Sequence, residues 1–212
     1  MKNPANRALL AGLAVTALAL GGCATLNESE CRTVDWKTIG YEDGNNGYSG
    51  ERIAQHRKAC AKYGISPDLG AYQSGRDAGL REYCRPANGF RAGAAGYAYA
   101  GTCPPDLEQA FASAYDSGLH LHELRGRVSD IANSLDAKRE ELDSAEDDLV
   151  KSSAVIISSD STTERRAQAL ADTKQLAERM GRLKSDIRHL EEERVRYDIE
   201  LQEYRASVRY AE

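Results

Sequence analysis

The chain has 212 residues, a net charge of −5 at pH 7 and 41% apolar residues. That length and composition suffice for one or two buried cores. An acidic chain without a basic stripe excludes nucleic acid as an expected partner.

Two basic residues, Lys2 and Arg7, precede an apolar run of 13 residues from Ala8 to Leu20. A membrane-spanning helix needs about 20 apolar residues. A basic start, a short apolar core and small residues after it form an export signal instead. The run leads into Leu20-Gly21-Gly22-Cys23, which resembles the bacterial lipobox. The resemblance implies removal of residues 1–22, a thioether-linked diacylglycerol on Cys23 and a further acyl chain, commonly palmitate, on its amino group. More than one chain is what durable anchoring requires. Ala24 stands where an aspartate retains Gram-negative lipoproteins at the inner membrane, so the expected place is the outer membrane, facing the periplasm. Removal of the signal leaves 26 Lys plus Arg against 33 Asp plus Glu, a net charge of −7.

With Cys23 lipidated, Cys31, Cys60, Cys84 and Cys103 remain, an even number in an exported chain. Two disulfides are expected. Of the three connectivities, Cys31–Cys60 with Cys84–Cys103 is favoured because each bond closes a short local loop. A zinc site needs cysteines two to four residues apart; separations of 29, 24 and 19 do not supply it, and no metal or cofactor is expected.

Residues 23–34 are read as the acylated N-terminus and tether, and residues 24–48 are expected to be largely irregular. Glu51 to Tyr63 reads as a helix ended by Gly64. Ser66-Pro67 reads as an N-cap with proline at the first helical position, opening a helix that covers 71–83 and stops before Pro86. Pro104-Pro105-Asp106 opens another that carries Leu107, Ala110, Phe111, Ala114 and Tyr115 and can run into the next region. A loose unit recurs: an aromatic residue followed three positions later by glycine, at Tyr41/Gly44, Tyr72/Gly75, Phe90/Gly93 and Tyr115/Gly118. Gly75 and Gly79 are four apart, as are Gly89 and Gly93; on helices such spacing lets two backbones approach closely. Residues 35–118 are therefore expected to be a Gly/Tyr/Cys-rich helical domain.

Residues 119–212 have no proline or cysteine. Leu121, Leu124, Val128, Ile131, Leu135, Leu142, Ala145 and Leu149 follow heptad steps, interrupted by Lys138. A second stripe runs through Leu176, Met180, Leu183, Ile187, Leu190, Tyr197, Leu201, Tyr204 and Val208, interrupted by Arg194. The polar turn between them carries Ser161 and Glu164 at capping-box spacing. The expected architecture is mainly α: a small disulfide-stabilised helical domain followed by a long antiparallel coiled-coil hairpin.

The set Cys31, Asp35-Trp36, Gly40, Asp43-Gly44, Cys60, Gly64, Tyr72, Gly75-Arg76, Gly79-Leu80, Tyr83-Cys84, Asn88-Gly89, Gly93, Gly96, Tyr99 and Cys103-Pro104 resembles a proteobacterial envelope lipoprotein family of uncharacterised function. The resemblance covers residues 31–118. It implies an envelope location and a compact cysteine-bearing domain, and no catalytic residue.

The residues offer little chemistry. His120 and His122 point about 200° apart on a helix and cannot easily share one metal. The Gly-x-Ser-x-Gly elbow and the P-loop are both missing from the sequence. Asp43, Asp77 and Glu82 form no carboxylate pair that spacing would bring together. The expected function is thus a non-enzymatic structural or adaptor role. The partners expected are the membrane, through the lipid, and an envelope protein or a second copy, through residues 119–208. The alternative is a glycan- or peptidoglycan-binding accessory factor using Arg91, Tyr97 and Tyr99.

Overall fold

The computed structural model describes residues 26–208; the signal segment and Cys23 lie outside the described residues. Those residues form seven helices: α1 (Glu28–Thr33), α2 (Trp36–Asn45), α3 (Arg52–Ala61), α4 (Leu69–Tyr83), α5 (Pro86–Ala94), α6 (Pro105–Ile157) and α7 (Thr163–Ser207). The stretch expected to be irregular, residues 24–48, therefore holds the whole of α1 and α2. Both start on local side-chain caps that a search for apolar periodicity does not register. Asn27 and Glu30 close a capping box on α1, and the Asp35 carboxylate accepts from Lys37 N on α2. The α4 cap is Asp68, whose carboxylate accepts from Ala71 N at 2.9 Å, and not Ser66. Likewise α7 is capped by Thr162, which accepts from Arg165 N, one residue past the expected Ser161. Within residues 23–34, Leu26 and Cys31 are buried against Cys60.

The base of the molecule is one helix pair built twice. In the first copy α2 packs along α4; in the second α5 packs along the first turns of α6. Contact is backbone to backbone. A Cβ on Gly40 would lie 2.0 Å from Tyr72 O and one on Gly44 2.2 Å from Arg76 O. In return, a Cβ on Gly75 would lie 1.8 Å from Lys37 O and one on Gly79 2.1 Å from Tyr41 O. Rising numbers on one helix meet rising numbers on the other, so the pair is parallel. The second copy repeats this: Gly93 meets Tyr115 O at 2.1 Å and Gly118 meets Phe90 O at 2.1 Å. No other residue type permits so close a crossing.

The equivalence extends to single hydrogen bonds. Gly40-Tyr41-x2-Gly44-x2-Gly47-Tyr48 recurs as Gly89-Phe90-x2-Gly93-x2-Gly96-Tyr97, 49 residues on. Both segments end in the same glycine-terminated cap, with Tyr48 N donating to Asp43 O and Tyr97 N to Ala92 O, each at 3.0 Å. Gly47 and Gly96 carry positive φ, 71° and 74°. Against them lie the rings of Tyr83 and His122 respectively. Ala71-Tyr72-x-Ser74-x2-Asp77-x-Gly79-Leu80 recurs as Ala110-Phe111-x-Ser113-x2-Asp116-x-Gly118-Leu119, here 39 residues on. Arg76 donates to Tyr48 O at 2.9 Å, and at the matching place Tyr115 Oη donates to Tyr97 O at 2.9 Å.

Each copy has one disulfide. Cys31–Cys60 and Cys84–Cys103, with Cα atoms 5.6 and 5.7 Å apart, each join the chain before the first helix of a pair to the connection leading into the second. A crosslink of this kind removes roughly 3 kcal/mol of unfolded-chain freedom in the loop-entropy picture.

Helix α6 continues without a break from the second copy into the hairpin. Its 53 residues and the 45 of α7 run antiparallel. Leu121, Leu124, Ile131, Leu135 and Ala145 are buried along the seam from α6, and Ala169, Leu183 and Leu201 from α7. The two interruptions in the stripes are ion-paired: Lys138 lies 3.7 Å from Asp186, and Arg194 3.7 Å from Asp198. Further charges cross between the helices, Arg139 to Glu191 at 2.8 Å and Lys184 to Glu146 at 3.1 Å. The returning end of α7 is held to the base: Leu201 joins Phe90, Ala114, Leu121 and Leu124 in one core, and Tyr204 Oη donates to Ser117 O at 2.8 Å. From Leu124 to Ile157 the hairpin reaches about 50 Å beyond the base.

Candidate functional site

The polar centre of the base is in the first copy. Asp43 on α2, His56 on α3 and Tyr72 on α4 are all buried. Tyr72 Oη donates to Asp43 Oδ2 at 2.7 Å, and His56 Nε2 lies 2.7 Å from the same oxygen. The Arg52 guanidinium approaches the other oxygen at 3.9 Å and lies over the Tyr48 ring at 4.6 Å. Burial pushes the Asp43 carboxyl up, but the hydrogen bonds from His56 and Tyr72, with the charges of His56 and Arg52, outweigh it and hold it below the ordinary value of 3.8. Burial, and then the Asp43 acceptor, push the Tyr72 phenol up. An ionised carboxylate only accepts, so the facing His56 nitrogen carries the hydrogen.

With Asp43 6%, His56 3% and Tyr72 1% exposed, no solute reaches these groups. They fasten α3 to the α2–α4 pair. The second copy has Ala92 and Phe111 at the matching places and no helix between α5 and α6. Sequence analysis missed the cluster by weighing Asp43 only as a partner for Asp77 and Glu82. Asp77 is exposed and Glu82 pairs with Arg85. The available signal was phase: Asp43 adjoins the Gly40–Gly44 face, which is the buried face of α2.

The three residues singled out for glycan contact do not form one surface. Tyr97 is 70% exposed and Arg91 is exposed and bonded to Asn88. Both line an open groove of about 670 Å³ between the two copies, with Asn45, Asn46, Tyr83 and Asn88. Tyr99 instead belongs to the core. Its ring stacks 4.7 Å from Phe111 and 5.7 Å from Tyr115, while its hydroxyl donates to Glu108 and accepts from Cys103 N. Burial and then the bond to Glu108 push its phenol up to about 12. An aromatic beside glycines fills the space they leave, and sequence cannot separate that from a surface aromatic. The Asn88 amide is occupied as well, donating to Glu82 O and Tyr83 O at the end of α4.

His120 and His122 turn to different neighbours, His120 edge-on to Tyr204 at 4.6 Å and His122 against Gly96. Along the hairpin, large apolar residues are left outside the seam near the turn and, at Val195 and Ile199, nearer the base. Ile157 is 84%, Val150 69% and Leu170 63% exposed. Among the described residues no helix is long and apolar enough to cross a membrane.

No curated protein and no solved structure matches the chain. Residues 35–120, which run from the cap of α2 to just past Gly118 and so span both copies of the helix pair, match the profile of a family described as protein of unknown function (DUF2799).

Proposed function

We propose that this chain is an exported lipoprotein of the outer membrane, acylated on Cys23 and facing the periplasm, that acts as a non-enzymatic adaptor: a rigid base at the membrane carrying a rod that contacts other envelope proteins. The observation that carries this reading is the rod itself. Its seam is buried, yet its distal half leaves Val150, Ile157 and Leu170 open to water. Large apolar side chains left open along a helical rod favour a protein partner. The sequence Leu20-Gly21-Gly22-Cys23 and the two disulfides support the address. Leu26, three residues past Cys23, is already in the core, so a lipid on Cys23 would hold the base close against the bilayer.

Two experiments test it. Cells fed an alkyne-labelled fatty acid incorporate it into the wild-type chain and not into Cys23→Ser; label in both, or in neither, rejects the anchor. Photo-crosslinking residues at Val150, Ile157 or Leu170 trap an envelope protein in intact cells. Crosslinks confined to the chain's own base would reject the adaptor role.

A second reading rests on the groove between the copies, where Arg91 and Tyr97 stand together beside three asparagines. Arginine, amide and aromatic side chains are the groups that bind glycans. Under this reading, purified chain co-sediments with isolated peptidoglycan, Arg91→Ala with Tyr97→Ala abolishes it, and deletion of the rod tip does not.

A further inference from the structure

Helix α7 carries a second seam that nothing among the described residues covers. Ala167, Ala171, Lys174, Glu178, Gly181, Ser185 and Arg188 follow alternating four- and three-residue steps, the same heptad rhythm as the seam facing α6 but displaced around the helix. All seven are exposed. Leu170, 63% exposed, flanks them, and with Ala167, Ala171 and Ala177 it lines a shallow groove whose walls are nearly all apolar. The small residues admit a closely approaching helix, as the glycines of the base do.

The charges say which helix. Lys174, Glu178 and Arg188 enter no ion pair within the described residues, although the same hairpin is crossed by several others. When α7 is laid against a copy of itself in the opposite direction about residue 176, Lys174 meets the partner's Glu178 and Glu178 meets the partner's Lys174. In the same register Ala171 faces the partner's Gly181, Ala167 faces the partner's Ser185, and Arg188 faces the partner's Glu164. A parallel, in-register pairing would instead oppose Lys174 to Lys174 and Glu178 to Glu178.

We propose that the outer face of α7 is a homodimer surface, on which two copies of this chain pair antiparallel over residues 163–189 through the Ala167–Arg188 seam. The contact is isologous, each side supplying both halves of every pair. It extends about 40 Å and converts two hairpins into a four-helix bundle. The two bases then stand at opposite ends, roughly 80 Å apart, so both lipids reach one bilayer only when the rods lie along it. The inference deepens the adaptor reading and rests on it for the role of the rod as a contact surface.

The test uses the mature chain with Cys23→Ser. Sedimentation equilibrium shows a dimer, and Lys174→Glu, which places like charges at both symmetric contacts, weakens it by about tenfold. Adding Glu178→Lys restores the opposite-charge pairs and the affinity. Ala171→Cys with Gly181→Cys yields on oxidation a covalent dimer whose peptide map joins 171 of one chain to 181 of the other. A chain that stays monomeric at about 100 μM, a dimer indifferent to Lys174→Glu, or crosslinks joining 171 to 171 would overturn the proposal. A monomer in solution together with in-cell crosslinks from Leu170 to a different protein rejects the homodimer alone and leaves the adaptor reading standing.

Discussion

The two copies of the helix pair share their glycine contacts, their disulfide placement and the glycine-terminated end of their first helix, and they differ in what fills the space beside the contact. The first copy buries Asp43, His56 and Tyr72 and uses them to hold an extra helix, α3. The second puts Ala92 and Phe111 in the matching places and closes with the Tyr83–Tyr99–Phe111–Tyr115 aromatic cluster. What the copies share is therefore what the fold requires, and the polar cluster is an addition to the first. A buried hydrogen-bonded network of this kind is costly to break at one member and cheap to replace whole.

The shared part gives the largest expected effect. Gly75→Ala in the first copy and Gly93→Ala in the second each force two backbones apart, and each lowers stability by about 3 kcal/mol in urea unfolding. Near-zero cost at one of them would break the equivalence of the copies. The part that differs comes next. Asp43→Ala strands the Tyr72 hydroxyl and the His56 ring and costs about 2 kcal/mol; adding Tyr72→Phe, the side chain of the second copy, recovers about 1 kcal/mol of it. If the double change costs more than the single one, the second copy is no guide to the first. Outside both copies, Gly126 on α6 has open space where a Cβ would lie. Gly126→Ala there stabilises by about 1 kcal/mol, and a loss would show that the hairpin too depends on glycine contacts.

The smallest effect separates the copies by pH. The Asp43 pKa is lowered on folding, so its contribution is complete at neutral pH and drains away as pH falls through the range below 3.8. Hydrogen exchange in acid then rises in α2–α4 before α5–α6, and Asp43→Ala abolishes the difference. In alkali both copies weaken together. Tyr72 and Tyr99 each have a raised pKa, so each contributes fully below about pH 10 and is lost as pH rises, for Tyr99 through about 12.

Much of this was legible in the chain. The aromatic–x2–glycine unit and the four-residue glycine spacing stood out, and they mark the contact faces of α4 and α5. The duplication did not stand out, because its halves recur at different distances, 49 residues for the first helix and 39 for the second. The ten-residue difference comes from the longer connection of the first copy, which holds α3, so no single period exists to be found. Gly40 entered through the motif set alone, for a related reason: the backbone it packs on, Tyr72 O and Arg76 N, is remote in sequence. Tyr99 reads either as a glycan contact or as core filling, because a sequence does not state on which side of a loop an aromatic ring will lie.

Local and periodic properties were determined by the sequence alone: mainly helical structure, cysteines in pairs that close short loops, and two stripes long enough for a hairpin. These depend on residues within a turn or a heptad of each other, where backbone sterics and side-chain spacing decide the outcome. Only the tertiary structure decided that the base is one parallel pair built twice, that Asp43, His56 and Tyr72 converge, and that α7 keeps a second seam that no other described residue covers. Each of those depends on which distant helix lies alongside, and burial acts between surfaces that the linear order keeps apart.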